Sequence, residues 1–382
     1  MVGTIRLHFY GASAQTPTLE LKDNGEQIQT LSFQPARKRQ QGEFAWVVEF
    51  RRETQGAWQF RIDLGNHTYA CPYQGGSFDW FETSIDDLWV QDGQIYAYPP
   101  APFHTLSQVV KIPGFVGSLP KRPLYVYLPR GYDQHTFKTY PVIYMHDGQN
   151  CFERWVQDSY AGSWRADQAA DYLIATGRMR ECIIVGVGNS PNDRIPEYLP
   201  PNAVFDPKKS EDGSDFTPIR GRASETAQYY QHEVVQFIET YYRAMTDRRQ
   251  RATCGSSMGG LFSLYLAKHH ADFAQHHAVM SPSLWITGDA ADGYAQPRMI
   301  DDLRTAPPRN VRIWLDSGTK YSHHHGDDGM YATMAARDVL LENGYTLGHD
   351  LGYYLHQDAI HNEQSWAERL PNVFQFLFPF VR

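Results

Sequence analysis

The segment Gly255-Ser256-Ser257-Met258-Gly259-Gly260 constrains this chain more than any other. It stands between an apolar run at residues 251–254 and a helical pattern over residues 258–269. A serine at the top of such a strand–turn–helix connection presents its hydroxyl above a sheet, and the glycines let the flanking segments pass closely. The next amide, from Met258, begins a helix and lacks an internal partner. The pattern predicts a nucleophile, Ser257, beside one donor of an oxyanion hole. A glycine-rich turn with an idle serine is the alternative.

Composition and charge narrow the class of protein. The 382-residue chain, with 42% hydrophobic and 20% charged residues, is long enough for a globular protein of two domains. Its net charge of −8 argues against a nucleic-acid partner, because such proteins present basic faces to phosphates. No apolar run reaches spanning length, so no membrane association is predicted. Residues 1–10 form an alternating strand pattern rather than a signal peptide, and we expect a cytoplasmic protein.

The first hundred residues consist of short alternating runs separated by turn formers. The predicted strands span residues 5–9, 18–21, 28–33, 44–50, 58–62 and 68–71. Strands so closely spaced, with no helical period between them, predict a small antiparallel β-sandwich over residues 1–100. Pro99-Pro100-Ala101-Pro102 then predicts a linker.

From residue 105 to residue 382, strands and helices alternate. Strand-like runs lie at residues 124–128, 141–145, 182–187, 251–254, 311–316 and 351–355. Helical patterns lie at about 165–176, 225–243, 258–269, 329–343 and 365–378. Alternation of this kind predicts a mostly parallel sheet with helices on both faces. The polar segment 189–224 is long enough to be an active-site lid.

A serine hydroxyl needs a base, and the base needs a third group to orient it. In this topology the acid and the histidine follow the serine along the chain, each after a later strand. His361 lies in the loop between the last predicted strand and the final helix, and we expect it to be the base. His356 directly extends the apolar strand and is the weaker candidate.

Three aspartates compete for the role of the acid. Asp316 ends the strand at residues 311–316 and could simply hold the next turn through backbone contacts. Asp327 and Asp328 precede a helix, where acidic N-caps are common for structural reasons. We expect Asp328 to orient His361, ahead of Asp327 and then Asp316.

The second donor of an oxyanion hole is expected in the loop that follows an earlier strand. Residues 144–150 fit, because Gly148 permits a sharp turn that leaves the amide of Gln149 free. A glycine turn without a ligand is the alternative. Trp164, Trp285 and Trp366 are candidates for lining the pocket, although aromatic residues more often fill cores.

Neither a metal nor an organic cofactor is predicted. The four cysteines, at positions 71, 151, 182 and 254, have no metal or redox spacing, and we expect a protein without disulfides. His323-His324-His325 are adjacent in the chain, and adjacent residues rarely face one ion together. The pairs His269-His270 and His276-His277 are expected at a helix end and in the strand after it.

Several stretches besides the serine motif match one known family. They are residues 128–133, 145–152, 185–189, Arg194 with Glu197 and Tyr198, 255–261 and 361–369. On these residues the chain from about 105 to 382 resembles the Putative esterase family of α/β-hydrolases. Its members include feruloyl and acetyl-xylan esterases, S-formylglutathione hydrolases and enterochelin esterases. The resemblance implies an α/β-hydrolase fold for this region.

The resemblance also implies roles for single residues. Ser257 matches the nucleophile, His361 the base, and the amides of Met258 and Gln149 the oxyanion hole. Members of the family often carry an acidic residue at the position of Tyr321, and this departure is why the acid is expected at Asp327 or Asp328. The N-terminal region resembles, on strand rhythm and aromatic content, the immunoglobulin-like or starch-binding modules that precede this domain in some relatives.

The combined expectation is a two-domain serine carboxylic-ester hydrolase that forms an acyl-enzyme and uses no cofactor. Its substrate is expected to be a small-molecule ester, with an acylated carbohydrate as the first candidate. A siderophore ester and a thioester are the alternatives within enzymes. A non-catalytic ligand-binding α/β-hydrolase scaffold, or a lectin-like protein that binds glycans through its N-terminal domain, are the alternatives from other classes. The acyl group, the alcohol and the oligomeric state are left open.

Overall fold

The computed structural model of the protein describes residues 3–11, 15–23, 27–38, 44–52, 56–65, 69–70, 80–91, 94–96, 107–133, 136–190, 192–206, 217–289, 295–321 and 327–380. Contacts divide the chain into two compact units. One comprises Met1–Leu106, Ala170–Arg180 and Phe378–Arg382, and the other Ser107–Ala169 and Glu181–Leu377. Residues 170–180 and 378–382 thus belong to the first unit, although the strand–helix alternation predicts them in the second domain. The predicted linker at residues 99–102 lies outside the described residues.

The first unit contains ten described strands. They are β1 (Gly3–Gly11), β2 (Thr18–Asp23), β3 (Gln27–Ser32), β4 (Gln34–Lys38), β5 (Phe44–Arg52), β6 (Trp58–Asp63), β7 (Tyr69–Ala70), β8 (Phe81–Thr83), β9 (Asp87–Gln91) and β10 (Gln94–Tyr96). One sheet has the order β10-β9-β1-β5-β4, and the other has the order β3-β2-β6-β7 with β8 paired to β6. Leu7, Leu19 and Phe60 represent the buried side chains from both sheets that form one hydrophobic cluster.

The strand pattern of this unit follows the predicted alternation, with one departure in direction. Along β6, the side chains of Trp58, Phe60 and Ile62 are buried and those between them are half-buried. β1, however, pairs with β9 in parallel, with Arg6 opposite Asp87. Between β1 and β9 the chain forms all the strands of the second sheet. A connection of that length allows β9 to run parallel to β1. The sequence analysis predicted only antiparallel pairing and missed β4, β8, β9 and β10, which are short or polar.

The second unit alternates strands and helices. Its strands are β11 (Gln108–Phe115), β12 (Arg122–Leu128), β13 (Val142–His146), β14 (Ile183–Val187), β15 (Val204–Phe205), β16 (Ile219–Arg220), β17 (Arg251–Ser256), β18 (His276–Met280), β19 (Arg312–Gly318) and β20 (Leu351–His356). Its helices are α1 (Ala166–Ala175, which continues into the first unit), α2 (Arg194–Tyr198), α3 (Ala223–Tyr229), α4 (Val235–Tyr241), α5 (Met258–His269), α6 (Arg298–Thr305), α7 (Met330–Glu342) and α8 (Glu363–Leu377).

Eight of these strands form the central sheet, in the order β11-β12-β14-β13-β17-β18-β19-β20. β12 is antiparallel to both of its neighbours, and every pair from β14 to β20 is parallel. The predicted mostly parallel sheet is therefore confirmed, and the fold is of the α/β-hydrolase type. The strands β13, β14 and β18 are buried along their whole length, which explains the apolar runs of β13 and β14.

The element order corrects the prediction in two places. The sequence analysis did not predict β11, an edge strand with an exposed and irregular burial pattern. Between β17 and β19, the sequence predicts only that His276 and His277 lie in a strand, without bounds for that strand. Both histidines lie in β18, so that expectation is confirmed. The polar rings hid this strand from an apolar-run search, although it is fully buried.

The sheet brings four loops to one edge. Because β17, β18, β19 and β20 are adjacent and parallel, their carboxyl ends lie side by side. The segments that leave these ends begin at Ser257, Ser281, Thr319 and Gln357. Residues far apart in the chain therefore meet above this edge.

Candidate active site

Ser257 occupies a sharp turn between β17 and α5. Its backbone has φ 56° and ψ −121°, a conformation that non-glycine residues rarely adopt. The turn is held on both sides: the Ser257 amide donates to the Met280 carbonyl at 3.0 Å, and the Ser257 carbonyl accepts from the amides of Leu261 and Ser283 at 3.0 Å each. A strained backbone conformation that the surrounding hydrogen bonds hold in place is typical of functional positions.

Gly255 makes room for this turn. A Cβ at position 255 would lie 2.5 Å from Cδ2 of His146 and 2.6 Å from the backbone carbon of Gly259. The end of β17 can therefore approach α5 and β13 only without a side chain. The same packing buries His146, whose Nδ1 lies 3.0 Å from the Tyr230 hydroxyl and whose Nε2 lies 3.0 Å from the Ser263 hydroxyl.

The Ser257 side chain faces a cavity of about 820 Å³ that His361 also lines. The Ser257 hydroxyl shares a hydrogen bond of 3.1 Å with the hydroxyl of Ser283. A hydroxyl at this place is half-buried, reachable from the cavity and oriented by a second hydroxyl. The structure thus brings the serine and the histidine of the sequence prediction to one cavity.

His361 is bonded to Asp328. Its Nδ1 lies 2.5 Å from Oδ1 of Asp328, and the two side chains are 12% and 0% exposed. The His361 ring also packs edge-on against the indole of Trp366, with ring centroids 4.9 Å apart. The loop that carries His361 is anchored by Asn362, whose side-chain oxygen accepts from the amide of Ser365 at 2.9 Å at the start of α8.

Asp328 is held by more than the histidine. Its second oxygen accepts hydrogen bonds from the Ser281 hydroxyl at 2.7 Å and from the amide of Gly318. Burial favours the neutral carboxyl, but the bond from His361 and the charge of Arg369 outweigh it, and the pKa of Asp328 lies below its usual value. The carboxylate is therefore ionised and fixed, which is what orients an imidazole for proton transfer.

Asp316 and Asp327 have other hydrogen-bond partners. Asp316 is fully buried, pairs with Arg369 at 2.9 Å and accepts from the indole N–H of Trp314 at 2.7 Å. Its pKa is raised, chiefly by burial. Asp327 lines the cavity, and its carboxylate accepts from the amide of Gly329 at 3.1 Å, as an N-terminal turn residue does. Among the three aspartates, Asp328 is the one bonded to His361.

Met258 and Gln149 both stand at the first turn of a helix. Met258 is the first residue of α5, so its amide has no partner inside that helix. Gln149 lies in a one-turn 3-10 helix, Gly148–Asn150, that leaves the carboxyl end of β13. A Cβ on Gly148 would lie 2.4 Å from the backbone carbon of Gly186, so only glycine allows the turn this close to β14. Both residues therefore stand at the start of a helical turn that follows a central strand, β17 for Met258 and β13 for Gln149.

The turn that carries Gln149 is fixed by an ion pair between a buried carboxylate, Asp147, and a partly exposed guanidinium, Arg194. Asp147 adopts a left-handed backbone with φ 55°, and its carboxylate accepts two bonds from Arg194, at 2.7 and 2.8 Å, and one from the side chain of Asn189. Burial opposes the charge of Asp147, yet the guanidinium beside it holds its pKa below the usual value. The backbone amide of Asn189 also donates to the side-chain oxygen of Gln149 at 3.3 Å.

Apolar side chains form a large part of the cavity lining. They include Ile195, Phe205, Trp285, Ile286, Ile300 and Tyr331. Trp285 is 45% exposed and packs edge-on against Phe205 with centroids 6.0 Å apart. Arg194, Ile195 and Phe205 come from the polar segment predicted as a lid, of which residues 191 and 207–216 lie outside the described residues.

The structure corrects the pocket prediction for two tryptophans. Trp164 and Trp366 are 1% and 5% exposed, and neither lines this cavity. Their rings pack against each other with centroids 5.7 Å apart, and Trp366 supports His361 from behind. Both rings are therefore part of the buried core, where large aromatic side chains are often found.

Sequence reasoning missed four polar residues of the site. Ser281 and Ser283 follow β18, which was not predicted as a complete strand. Arg194 was part of the family resemblance without a role. Arg369 was also part of the family resemblance without a role. It is the charged residue on the buried face of α8, and this position was the signal that it has a partner in the protein interior.

The described ranges contain no group of three or more histidine, cysteine or acidic side chains placed to hold a metal ion. His323-His324-His325 lie outside the described residues. Cys151, Cys182 and Cys254 are buried and are not joined to one another by a disulfide, and Cys71 lies outside the described residues. None of the helices in the described part of the chain has the length and hydropathy needed to cross a membrane.

Known proteins share this fold. The Uncharacterized protein YbbA of Bacillus subtilis (strain 168) is 20% identical over 257 residues, which cover 66% of this chain and 91% of YbbA. An IroE-like serine hydrolase from Shewanella oneidensis is 18% identical with a TM-score of 0.52, covering 72% of this chain and 80% of its own. The enterobactin esterase FES from Shigella flexneri is 12% identical with a TM-score of 0.52, covering 98% and 93%.

Identities this low show a common fold alone, so the class of reaction is inferred from the family model. The family model described as Putative esterase matches residues 120–377, which is more than half of the chain and contains Ser257, Asp328 and His361. This chain therefore belongs to the Putative esterase family and is an ester hydrolase.

Proposed function

We propose that the protein is a serine carboxylic-ester hydrolase in which Ser257, His361 and Asp328 form the catalytic triad. The observation that carries the proposal is the bond of 2.5 Å between His361 and Asp328, beside a cavity that Ser257 enters from a strained turn. A buried, ionised aspartate bonded to Nδ1 directs Nε2 of the imidazole toward the reacting hydroxyl.

In this mechanism the Ser257 hydroxyl attacks the ester carbonyl while His361 accepts its proton. The negative charge that develops on the carbonyl oxygen is stabilised by the amides of Met258 and Gln149. His361 then gives the proton to the leaving alcohol, and the acyl group stays on Ser257. Water, deprotonated by His361, releases the acid and restores the serine.

Substitution of the serine tests this proposal directly. We expect Ser257→Ala to lower the rate on p-nitrophenyl acetate by about 10⁶-fold, because only binding and the oxyanion hole remain. Ser256→Ala is the matched control, since Ser256, the other serine of the motif, belongs to β17. This variant should keep the rate within a few-fold. A fluorophosphonate probe should label the wild type and not the Ser257→Ala variant. Turnover or labelling in Ser257→Ala would refute the assignment, and an unlabelled wild type would support a ligand-binding scaffold.

The substrate we propose is a small ester, with an acylated carbohydrate as the first candidate. The cavity supports this reading because Trp285 and Phe205 present aromatic surface of the kind that binds rings and sugars. One observation favours a siderophore ester instead: the fold likeness to the Shigella enterobactin esterase covers 98% of this chain, and therefore both units.

A substrate panel separates these readings. Acetylated xylan fragments, feruloyl esters, a catecholate siderophore ester and an acyl-thioester should be compared by kcat/KM, with Trp285→Ala beside the wild type. We expect the preferred substrate to lose about tenfold in kcat/KM in Trp285→Ala while p-nitrophenyl acetate changes little, because the small acyl group does not reach that surface. Equal losses on all substrates would show that Trp285 does not select among them.

For the first unit we propose a β-sandwich that is a domain of its own, with the boundary near residues 100–105. Its two sheets and their shared cluster of buried side chains support this reading. Glycan binding by this unit, and the cytoplasmic location, stay predictions.

A further inference from the structure

A buried charge cluster lies beneath the proposed triad. Arg369, fully buried on α8, forms an ion pair with Asp316 at 2.9 Å and lies 3.6 Å from the second oxygen of Asp328. Both carboxylates are fully buried as well. The Ser281 hydroxyl joins the cluster, since it accepts from Arg369 at 2.8 Å and donates to Asp328 at 2.7 Å.

The charges of this cluster do not cancel. One guanidinium faces two carboxylates, so a single net negative charge stays under His361 when both are ionised. Charges inside a protein are screened far less than charges at its surface. The net charge of these three groups therefore affects the electrostatic energy of the His361 imidazole, which is bonded to Asp328.

We propose that Asp316 and Arg369 act as a pair of positioning residues for His361, working through Asp328. Arg369 and Ser281 hold the Asp328 carboxylate in place. Asp316 offsets the arginine, so that the charge of Asp328 remains available to stabilise the imidazolium that forms during the reaction. This inference rests on the proposed triad.

Without Asp316, the cation of Arg369 would turn wholly to Asp328. The carboxylate would then stabilise the imidazolium less, and His361 would be a weaker base. The pair explains why an aspartate at the tip of β19 is paired inward instead of joining the triad. It also explains a buried arginine in the last helix, which otherwise would be costly to bury.

Other charged groups that face His361 stay unchanged in the experiment. Glu363 stands on the same helix as Arg369 and interacts with both His361 and Arg194. Arg194 on α2 is paired with Asp147. Asp327 lines the cavity beside Asp328. Any shift must therefore come from the cluster that is altered.

The test compares Asp316→Asn with the double variant Asp316→Asn/Arg369→Met. The single variant should move the acidic limb of the kcat/KM–pH profile on p-nitrophenyl acetate to lower pH by about one unit, because one negative charge is lost near His361. The plateau should fall about fivefold as the base weakens. In the double variant the net charge is that of the wild type, and the limb should return to within about 0.3 unit.

The matched control is Glu239→Gln. Glu239 pairs with Arg251 at 2.5 Å at the start of β17, and Ser257 follows the other end of the same strand. This variant should lose stability without moving the limb. A folded Asp316→Asn with the limb of the wild type, or a double variant displaced as far as the single one, would overturn the proposal. If Asp316→Asn does not fold, a displacement of half a unit or more in the double variant does so alone.

A second readout separates this inference from the proposed function. The ring protons of His361, followed by NMR as pH changes, report its proton affinity in each variant without any turnover. Their titration should shift in Asp316→Asn and return in the double variant. If the wild type hydrolyses no ester, the proposed function fails while this titration still tests the charge pair.

Discussion

Nδ1 of His361 lies 2.5 Å from Oδ1 of Asp328, although 33 residues and a complete strand, β20, separate them in the chain. The contact exists because β19 and β20 are parallel neighbours whose following loops share one edge of the sheet. Asp328 accepts this bond from a left-handed backbone with φ 57°, which turns its carboxylate toward the loop that holds His361.

The first prediction concerns this contact. Asp328→Asn should lower kcat on a p-nitrophenyl ester by about 10⁴-fold, because an amide stabilises the wrong tautomer of the histidine. KM should change little, since the carboxylate is almost fully buried and is bonded to His361. Asp327→Asn, the neighbouring control, should stay within a few-fold. A larger loss in Asp327→Asn than in Asp328→Asn would reverse the assignment of the acid.

The second prediction concerns the turn that carries Gln149. Gly148→Ala places a methyl group 2.4 Å from the backbone of Gly186, and neither backbone can yield without moving the turn. We expect a loss of at least about 10²-fold in kcat, as for removal of one oxyanion donor. Gly3→Ala, at a position with nothing within 4 Å, should leave the rate unchanged. Steady-state kinetics on one ester suffices, and an active Gly148→Ala enzyme would exclude Gln149 as a donor.

The third prediction concerns pH and stability. Burial lowers the pKa of His277 to about 3, and its neutral ring is bonded on both sides, to the Thr253 hydroxyl at 2.8 Å and to the Ala274 carbonyl at 3.1 Å. The unfolded chain binds this proton near pH 6.5, so unfolding takes up a proton between about pH 6.5 and pH 3. The free energy of unfolding is therefore fully retained above this window and falls as pH decreases through it.

Urea denaturation at several pH values measures this effect. The slope of the free energy of unfolding should decrease by up to about 1.4 kcal/mol per pH unit in His277→Gln, because one titrating group is removed. His232→Gln is the control, since that ring is exposed, and its slope should match the wild type. An unchanged slope in His277→Gln would mean that this histidine does not couple folding to pH. His146, whose pKa burial also lowers to about 3, contributes to the slope that His277→Gln keeps, together with other groups whose pKa values are shifted by folding.

Local sequence predicted the parts of the site that local geometry determines. The glycines around Ser257 announce a sharp turn, and a histidine between the last strand and the last helix announces a loop at the same edge. Choosing among Asp316, Asp327 and Asp328 was a different matter. Strand position alone favours none of them, because what decides is the direction of a left-handed backbone at position 328 and a buried partner for Asp316.

The missed residues share one physical reason. Arg369 is separated from Asp316 by more than fifty positions, and on a helix a lone arginine is expected to face solvent. His276 and His277 make β18 look polar, although both rings find hydrogen-bond partners inside the protein. The partners of these polar groups are distant in the chain, so local sequence does not identify them, even where the buried face of α8 signals that Arg369 has one.

The last helix has a consequence for synthesis of the protein. A ribosome makes Ser257 more than a hundred residues before α8, yet Trp366 and Arg369, which lie behind His361 and Asp328, arrive with that helix. A nascent chain or a truncated product that stops ahead of residue 363 carries the serine without the support of its partners. Such incomplete chains should be inert toward esters, because the groups that hold His361 and Asp328 in place are missing.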